Sequence, residues 1–260
     1  MDTFQLTYKP YGERSILVEW PADINVNILQ DILKFKNKIR NHIFESKIEV
    51  KSAYNSLLIT YDFTIENIND KISALKTLYL SSGDIPKTQF RLWKIPVCYE
   101  DEFALDLEDI SDKKQLSKKE IIQLHSGTIY TVFFIGFLPG FLYLGGLDER
   151  LYFPRKSTPR QLIIKGAVAI GGNQTGVYPN ESPGGWNIIG NSPINFFDAS
   201  KDIPCFAKAG DKIQFVPISL KQYNDLSLIV KAGVYQMESE VIHGFRNRTG
   251  QPVAGPCEPL

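Results

Sequence analysis

Four short segments between Phe133 and Phe197 carry the side chains best suited to ligand binding. They are Gly136–Phe141, Pro154–Arg160, Gln174–Pro179 and Ser182–Trp186. Glycine and proline alternate there with aromatic, arginine and amide residues, a pattern typical of shaped loops that bind ligands on a rigid scaffold. The segments hold no evident nucleophile and no metal-ligand cluster, so these residues alone do not define a reaction.

Two arginines in these segments are candidate anion ligands. Arg155 and Arg160 each follow a proline, so a stiff backbone would aim both side chains. A guanidinium group binds a carboxylate or a phosphate through two parallel hydrogen bonds. We therefore predict that this pair binds an anionic ligand. The alternative is a surface ion pair that contributes about 0–1 kcal/mol.

His125 is a candidate for proton transfer and is one of only three histidines, with His42 and His243. Imidazole titrates near neutral pH, so His125 could act as a general acid or base or contact a phosphate. A histidine at the C-terminal end of a helix could instead interact with the helix dipole. The sequence leaves both interpretations open.

The composition bounds the class of protein. Of 260 residues, 43% are hydrophobic and 22% charged, as in ordinary globular proteins. Lys+Arg and Asp+Glu number 29 each, which gives no general attraction to nucleic acid or acidic membrane. Cys98, Cys205 and Cys257 are far apart and show no zinc-ligand or disulfide-framework spacing. Without a signal-peptide pattern or a long apolar run, we predict a soluble cytoplasmic protein with no metal site.

Residues 1–85 are predicted to form a small α+β domain. Two strands around a turn at residues 10–12 precede a helix at residues 25–43, where apolar residues recur at helical spacing. A strand pair at residues 48–61 and a second helix ending near Tyr79 follow. The resulting order, ββαββα, predicts an antiparallel sheet with helices on one face.

Residues 86–222 are predicted to form a mostly-β domain, after a linker at residues 81–86. Predicted strands lie at residues 91–99, 129–135, 163–170, 186–189, 205–207 and 212–217. Residues 101–119 are predicted as loop or short helix, and Ser117 with Glu120 forms a capping box that opens a helix ending near Gly127. Many short strands with Gly/Pro turns predict a barrel or sandwich. Residues 223–260 are a C-terminal extension of undetermined structure.

Taken in order, these motifs resemble the KipI/PxpB family over roughly Leu6 to Pro217. The motifs are Gly136–Leu147, Pro154-Arg155 with Pro159-Arg160, Gln174–Pro179 and Ser182–Trp186, preceded by His125, Tyr130 and Val132, and upstream by Gly12–Val18 and Tyr54–Asp62. Members are called the B subunit of 5-oxoprolinase, allophanate hydrolase subunit 1 or kinase inhibitor KipI. The resemblance implies an α+β N-terminal domain followed by a cyclophilin-like β-barrel.

The resemblance also implies an activity, ATP-dependent opening of 5-oxoproline to glutamate, performed with a homologous C subunit (KipA/PxpC-like) and a separate A subunit (PxpA-like). The implied site residues are His125, Arg155 and Arg160 as catalytic groups, and Gln174, Tyr178, Gly184 and Gly185 as substrate-binding groups. Gln174 and Tyr178 would hydrogen-bond the lactam edge, although they could equally satisfy a turn. Gly184 and Gly185 would admit an anion to backbone N–H groups, or form a tight hairpin that packs Trp186. ATP would bind in the complex, since this chain has no GxxxxGK[ST] loop to locate its site.

Two other functions stay open at this stage. A KipI-like inhibitor would bind a sensor histidine kinase through an exposed aromatic patch, and an allophanate hydrolase subunit would act on another small amide. Ile163–Val168, with Lys165 and Ala167, lacks the proline and serine that the family usually has, and Asn191 replaces a usual arginine. If those family residues contact a phosphate, activity would suffer; if they shape the barrel wall, it would not.

Overall fold

The computed structural model describes residues 4–42, 48–81 and 89–243, which fall into two compact units, up to Gln89 and Phe90–Ile242. The predicted linker, apart from Ser81, and the part of the C-terminal extension after His243 lie outside the described residues. No helix within the described ranges is long and apolar enough to cross a membrane.

The first unit is a four-stranded antiparallel sheet with two helices. Its elements are β1 (Thr7–Pro10), β2 (Ser15–Glu19), α1 (Val26–His42), β3 (Ile48–Ser52), β4 (Ser56–Tyr61) and α2 (Ile68–Leu80). The strand order is β1-β2-β4-β3. Alternate residues of β4 are buried in the same apolar cluster as the inner residues of α1 and α2, so both helices pack on one face.

The second unit is built mainly from strands. Its elements are β5 (Gln89–Cys98), α3 (Leu107–Lys114), α4 (Lys118–Gly127), β6 (Ile129–Ile135), β7 (Leu142–Gly145), β8 (Arg160–Ile163), β9 (Ala167–Gly171), β10 (Gln174–Val177), β11 (Ser182–Gly184), β12 (Asn187–Asn191), β13 (Lys212–Ile218), α5 (Leu220–Lys231) and β14 (Ser239–His243), with a 3₁₀ turn at Glu149–Leu151.

Seven of these strands close into a barrel in the order β12-β9-β10-β7-β6-β13-β5. Closure comes from β5, whose Cys98 pairs with Asn191 of β12. The strands β5 and β13 run parallel, with Leu92 opposite Lys212, and their neighbours in the barrel are antiparallel. β14 adds to β5 outside the ring, and β8 with β11 forms a separate two-stranded sheet. The predicted fold class, an α+β domain followed by a mostly-β barrel, is confirmed.

The barrel wall has an inner and an outer side, which strand alternation separates. In β9, Val168 and Ile170 belong to the large inner cluster, whereas Ala167 and Ala169 belong to a smaller outer cluster. The capping box predicted at Ser117 is present and starts α4.

The structure differs from the prediction in several elements. The predicted strand 163–170 is two strands, β8 and β9, because Gly166 takes a positive φ of 83° between them. Residues 205–207 form no strand; Phe206 packs there against Trp93 and Phe196 without sheet pairing. Residues 101–119, predicted as loop or short helix, do contain a short helix, α3, whereas β7, β10, β11, β14 and α5 were not predicted. The predicted boundary at residue 222 falls inside α5, and the compact unit continues to Ile242.

Candidate functional site

Four aromatic side chains cluster on the outer side of the barrel wall. We call this cluster, Phe141, Tyr143, Tyr178 and Trp186, the aromatic face. Phe141 lies at its centre, with ring centroids 5.6 Å from Trp186, 5.4 Å from Tyr178 and 4.9 Å from Tyr143. The contacts with Trp186 and Tyr178 are edge-to-face, the geometry that aromatic quadrupoles favour. The aromatic face is therefore a packed wall with a defined shape.

Small residues in the strands beneath let the rings lie against the backbone. They are Ala167, Ala169, Gly171 and Gly176. A Cβ atom on Gly171 would lie 2.6 Å from the Trp186 ring, and one on Gly176 would lie 3.2 Å from the Phe141 ring. Glycine in a strand interior often marks such a close approach. These positions show why this strand sequence, although weak in β-propensity, builds an aromatic wall.

Arg155 places a cation over the aromatic face. Its guanidinium carbon lies 5.4 Å from the centre of the Trp186 ring, a cation–π geometry, and the side chain is exposed. Burial raises the pKa of Tyr143 and Tyr178, and the positive charge of Arg155 opposes both rises. Within the described part of the chain, no carboxylate forms an ion pair with Arg155. Arg155 is thus available to an anionic ligand.

Arg160, in contrast, is already bound to a carboxylate. Its two terminal nitrogens donate to the two oxygens of Asp106, each at 2.8 Å. Lys156 Nζ lies 2.7 Å from Asp106 Oδ1, and the Ile188 N–H donates to Oδ2 at 2.7 Å. Burial acts to raise the pKa of Asp106, but these hydrogen bonds outweigh it and the pKa is lowered. Arg160 therefore holds the fold together here, and its predicted contact with substrate would require breaking this pair.

The predicted glycine pair lies beside the aromatic face. A Cβ on Gly184 would collide with the Tyr178 hydroxyl and lie 2.7 Å from Ile163 Cδ1, so only glycine lets β11 approach Tyr178. The Gly185 carbonyl accepts a hydrogen bond from the Lys156 N–H at 2.7 Å. The structure thus brings Tyr178, Gly184 and Gly185 to the segment that carries Arg155. Close packing requires glycine at position 184, whereas a Cβ on Gly185 would have its nearest neighbour at 3.4 Å.

Gln174 joins the same side of the wall. It pairs with Gly171 across β10 and β9, and directly opposed residues of antiparallel strands point to the same face. Because the Cβ direction of Gly171 meets Trp186, Gln174 also points toward the aromatic face. Its Oε1 atom is buried and, among the described residues, has no hydrogen-bond partner. Such an atom can accept a hydrogen bond from a ligand.

His125 is not part of this arrangement. It is fully buried in α4, where Nδ1 lies 2.8 Å from the Tyr99 hydroxyl and Nε2 lies 2.8 Å from Thr175 Oγ1. Because the Thr175 hydroxyl donates to the Ala169 carbonyl, it must accept from His125, which places the proton on Nε2 and makes Tyr99 the donor to Nδ1. Burial lowers the pKa of His125 to about 3. A neutral, enclosed imidazole does not fit the predicted acid–base role, and we propose a structural role instead.

The three positions that depart from the family pattern lie together in the wall. The Asn191 amide donates to the Lys165 carbonyl at 3.0 Å, and its carbonyl accepts from the Tyr223 hydroxyl at 2.9 Å. Lys165 Nζ donates to Asn195 at 2.6 Å, and Ala167 is fully buried in the outer cluster. All three side chains are used by the fold, which supports the wall-shaping interpretation.

Sequence reasoning missed two contributors, Asp106 and Lys156, and treated Trp186 as packing only. Trp186 is packed, with only 5% of its surface exposed, but its ring also makes the cation–π contact with Arg155. Lys156 could have been found as the third cation of the Pro154–Arg160 segment. Asp106 had no such signal, because its partners lie about fifty residues away along the chain. Across the described residues, no group of three or more potential metal ligands is assembled.

Phe137 stands at the edge of the aromatic face in an unusual conformation. It has a φ of 67°, which side chains other than glycine rarely adopt, and 62% of its surface is exposed. Its ring is edge-to-face with Phe141 at 5.6 Å. Residues held in sparsely populated backbone conformations cluster at functional surfaces, so Phe137 is a candidate contact residue.

Solved structures define the class of fold. The chain superimposes on the urea carboxylase of Kluyveromyces lactis with a TM-score of 0.77 at 21% identity, covering 92% of this chain and 24% of that one. It also superimposes on a protein named TTHA0988 with a TM-score of 0.68 at 27% identity, covering 79% of this chain. The chain spans only 40% of the length of TTHA0988.

The family follows from the sequence comparison. Residues 6–207 match the family described as carboxyltransferase domain, subdomain C and D, and the chain belongs to this family. It is 46% identical over 206 residues to the B subunit of 5-oxoprolinase from Escherichia coli O157:H7, covering 79% of this chain and 93% of that protein. It is 34% identical over 232 residues to the B subunit of 5-oxoprolinase from Bacillus subtilis strain 168, covering 85% and 97%. The predicted family relationship is confirmed.

Proposed function

We propose that this chain is the B subunit of an ATP-dependent 5-oxoprolinase, which opens 5-oxo-L-proline to L-glutamate. The observation that carries the proposal is near full-length similarity, at 34% and 46% identity, to two proteins with that name. The geometry of the aromatic face supports it, because a free guanidinium stands beside an aromatic wall and an unsatisfied amide oxygen.

The substrate has three features that these groups match. These are its small five-membered ring, its carboxylate and its lactam N–H, and the lactam carbonyl is the reacting group. Arg155 binds the carboxylate, since a guanidinium pairs with both of its oxygens. The ring packs at Trp186, and Gln174 Oε1 accepts the lactam N–H, a donor that would satisfy this buried atom. Phe137 forms the exposed edge of the same surface.

ATP, bound by the complex, would transfer its terminal phosphoryl group to the lactam oxygen and leave as ADP. Water would then add to the activated carbon and the ring C–N bond would break, with a proton going to the nitrogen. A second water would release the phosphate, so that the net change is hydrolysis of one lactam and one ATP. The residues of this chain bind and orient the ring and place positive charge near the reacting group. Neither role needs a nucleophile in this chain, in keeping with the side chains on the aromatic face.

The chain acts with other subunits. We propose a homologous C subunit (KipA/PxpC-like) and a separate A subunit (PxpA-like), assembled in the cytoplasm. We assign ATP binding to the assembled complex and to no residue of this chain.

The test is reconstitution. Purified A, B and C subunits are mixed with 5-oxoproline and ATP, glutamate is measured, and each subunit is omitted in turn. We expect glutamate formation only when this chain is present. An assembled three-subunit complex that forms no glutamate would refute the proposal. Allophanate is the control substrate, because it carries a carboxylate and an amide but no ring.

The exposed Phe137 favours one second candidate, a KipI-like inhibitor that binds a sensor histidine kinase. Such a protein needs an exposed aromatic contact rather than a free guanidinium. Inhibition of kinase autophosphorylation that is lost in Phe137→Ser but kept in Arg155→Ala would favour this candidate over the enzyme.

A further inference from the structure

Asp106 stands at the start of a helix without capping it. It is the residue before α3, a position where aspartate usually accepts a hydrogen bond from the first helical turn. Here the side chain makes no such bond. The backbone N–H of Asp106 donates instead to the Ile188 carbonyl at 2.8 Å, and the side chain is directed away from α3. The carboxylate therefore serves something other than the helix.

The partners of this buried carboxylate lie on the segment that carries Arg155. Asp106 is 3% exposed and accepts four hydrogen bonds, two from Arg160, one from Lys156 and one from the Ile188 N–H. A buried charge is tolerated when it is paired and fully hydrogen-bonded, and removing one partner leaves the other uncompensated. Asp106 thus fixes the segment at two points, on either side of the residues 157–159.

Two further hydrogen bonds fix the backbone of the same segment at Pro154 and Lys156. The Asn187 side-chain amide donates to the Pro154 carbonyl at 2.9 Å, and the Lys156 N–H donates to the Gly185 carbonyl at 2.7 Å. Arg155 lies between these two contacts, so its backbone has little freedom. Its guanidinium lies above the Trp186 ring, with the guanidinium carbon 5.4 Å from the ring centre.

The charges in this segment divide unequally. Arg155, Lys156 and Arg160 are three cations within six residues, and Asp106 is the one carboxylate that pairs with any of them among the described residues. Asp106 pairs with Lys156 and Arg160 and leaves Arg155 without a carboxylate partner. Without it, Lys156 and Arg160 would be free to compete with Arg155 for one substrate carboxylate, and only binding by Arg155 would place the ring at Trp186.

We propose that Asp106 is a positioning residue for the reaction. It holds Lys156 and Arg160 away from the ligand, so that Arg155 alone binds the substrate carboxylate and the lactam faces the reacting groups in one orientation. This inference rests on the proposed function, and it assigns Arg160 to the support of the site rather than to the substrate.

The test is Asp106→Asn in the reconstituted complex, with kcat and both KM values measured. We expect the KM for 5-oxoproline to rise about tenfold and the KM for ATP to stay within about twofold, because only the carboxylate subsite is disturbed. Asp109→Asn is the matched control: Asp109 is on the same helix but exposed, and it pairs only with Lys113 in the described structure. It should leave all three constants unchanged.

A second variant separates positioning from folding. Arg160→Lys keeps the charge but loses the two-point pairing with Asp106, so it should raise the KM for 5-oxoproline in the same direction. If either variant lowers the melting temperature while the KM for 5-oxoproline is unchanged, Asp106 is merely structural and the inference is overturned. Equal losses in both KM values would overturn it too.

The inference can be tested even if the complex has no 5-oxoprolinase activity. In that case a crystal structure of Asp106→Asn shows where Arg155 lies. Displacement of its guanidinium from the Trp186 ring would support the positioning role by itself, and an unmoved guanidinium would refute it. The activity assay and the crystal structure therefore distinguish a failure of the proposed function from a failure of this inference.

Discussion

At the scale of single residues, His125 shows how burial decides what a titratable group can do. Both ring nitrogens are used, one by the Tyr99 hydroxyl and one by the Thr175 hydroxyl, and the ring stacks on Phe215 at 4.6 Å. Protonation would need a donor on a nitrogen that already accepts, inside a core without compensating charge. The imidazole is therefore fixed as the neutral Nε2–H tautomer.

The pH dependence of stability follows from this assignment. The folded pKa of His125 is lowered from 6.5 to about 3, so below pH 6.5 the unfolded chain binds a proton that the folded chain refuses. Stability from this residue is complete above pH 6.5 and is lost as pH falls toward 3. Urea unfolding should show a loss of about 1.4 kcal/mol from His125 between pH 7.5 and 5.5.

The control for that measurement is His125→Gln, which cannot titrate. It should be less stable than the wild type at pH 7.5, and the difference between the two should shrink as the pH is lowered. An equally steep pH dependence in both proteins would show that His125 is not the responsible group. A ring-proton NMR signal from His125 that shifts between pH 8 and 5 would contradict the neutral assignment directly.

Arg155 and Arg150 make a matched pair for testing the carboxylate subsite. Both are exposed arginines, but Arg150 pairs with Asp148 at 2.7 Å, whereas Arg155 lies over Trp186. Arg155→Ala should raise the KM for 5-oxoproline by about 30-fold, the effect of losing a charge-assisted hydrogen bond of about 2 kcal/mol. Arg150→Ala should leave it unchanged, as steady-state kinetics of the reconstituted complex would show.

Two results would contradict the role of Arg155. One is an unchanged KM in Arg155→Ala, and the other is an equal rise in Arg150→Ala, which would reduce the effect to general surface charge. Arg155→Lys should fall between wild type and alanine, because an ammonium group keeps the charge but loses the two-point geometry.

The residue scale also shows why some site residues can be predicted and others cannot. The proline before Arg155 and the amide of Gln174 are local signals, and both side chains lie at the aromatic face. For Arg160 the same local signal holds, yet the side chain is taken by Asp106. Pairing between residues that are distant in sequence leaves no local trace, so a single sequence cannot tell a free arginine from a paired one.

At the scale of elements, the turn from Ile164 to Gly166 separates two strands that belong to different sheets. Gly166 has a φ of 83°, and a Cβ there would collide with the Ser192 carbonyl and lie 2.5 Å from Asn191 Oδ1. Gly172 has a similar φ of 68° but nothing within 4 Å of such a Cβ. Both glycines therefore have a left-handed backbone conformation, but only Gly172 has room for a Cβ atom.

This difference gives a prediction for the pair of alanine variants. Gly172→Ala should lower the free energy of unfolding by about 1–2 kcal/mol, the strain of a left-handed conformation. Gly166→Ala should lose about 2 kcal/mol more, because backbone atoms cannot move aside cheaply. Urea unfolding of both variants measures the difference. Equal losses would mean that the turn at Gly166 relaxes without affecting the wall.

Element prediction succeeded where the signal was local. The inner residues of α1 and the capping box of α4 were predicted correctly, since periodicity and caps act within a few residues. The same capping box, Ser219 with Gln222, starts α5 and was overlooked. Residues 205–207 were wrongly assigned as a strand, because apolar character alone does not distinguish sheet pairing from aromatic packing.

At the scale of the whole molecule, the barrel depends on contacts that no local pattern specifies. Its ring closes through the parallel pairing of β5 with β13 and through a short pairing of β5 with β12. Strand composition predicted many short strands and the mostly-β class, but not which strands are neighbours. Only the resemblance supplied a barrel topology.

The strand pairing of the closed barrel also predicts which strands open least readily. All five residues of β9 are buried, and β9 is paired on both sides, to β10 and to β12. β14 joins only β5, at the end of the sheet order, and Val241 within it is 49% exposed. Amides in buried, doubly paired strands exchange only through large openings, whereas edge strands exchange by local fraying.

Native-state hydrogen exchange, read by mass spectrometry, should therefore find peptides from β9 slower than peptides from β14 by at least about 100-fold. The strand β1, at the edge of the other sheet, is the control and should exchange as quickly as β14. Equal protection in β9 and β14 would show that the barrel opens as one unit. Slow exchange in β9 would mean that the strand whose Gly171 lies against Trp186 and pairs with Gln174 is a rigid support for the aromatic face, as a site that acts by positioning requires.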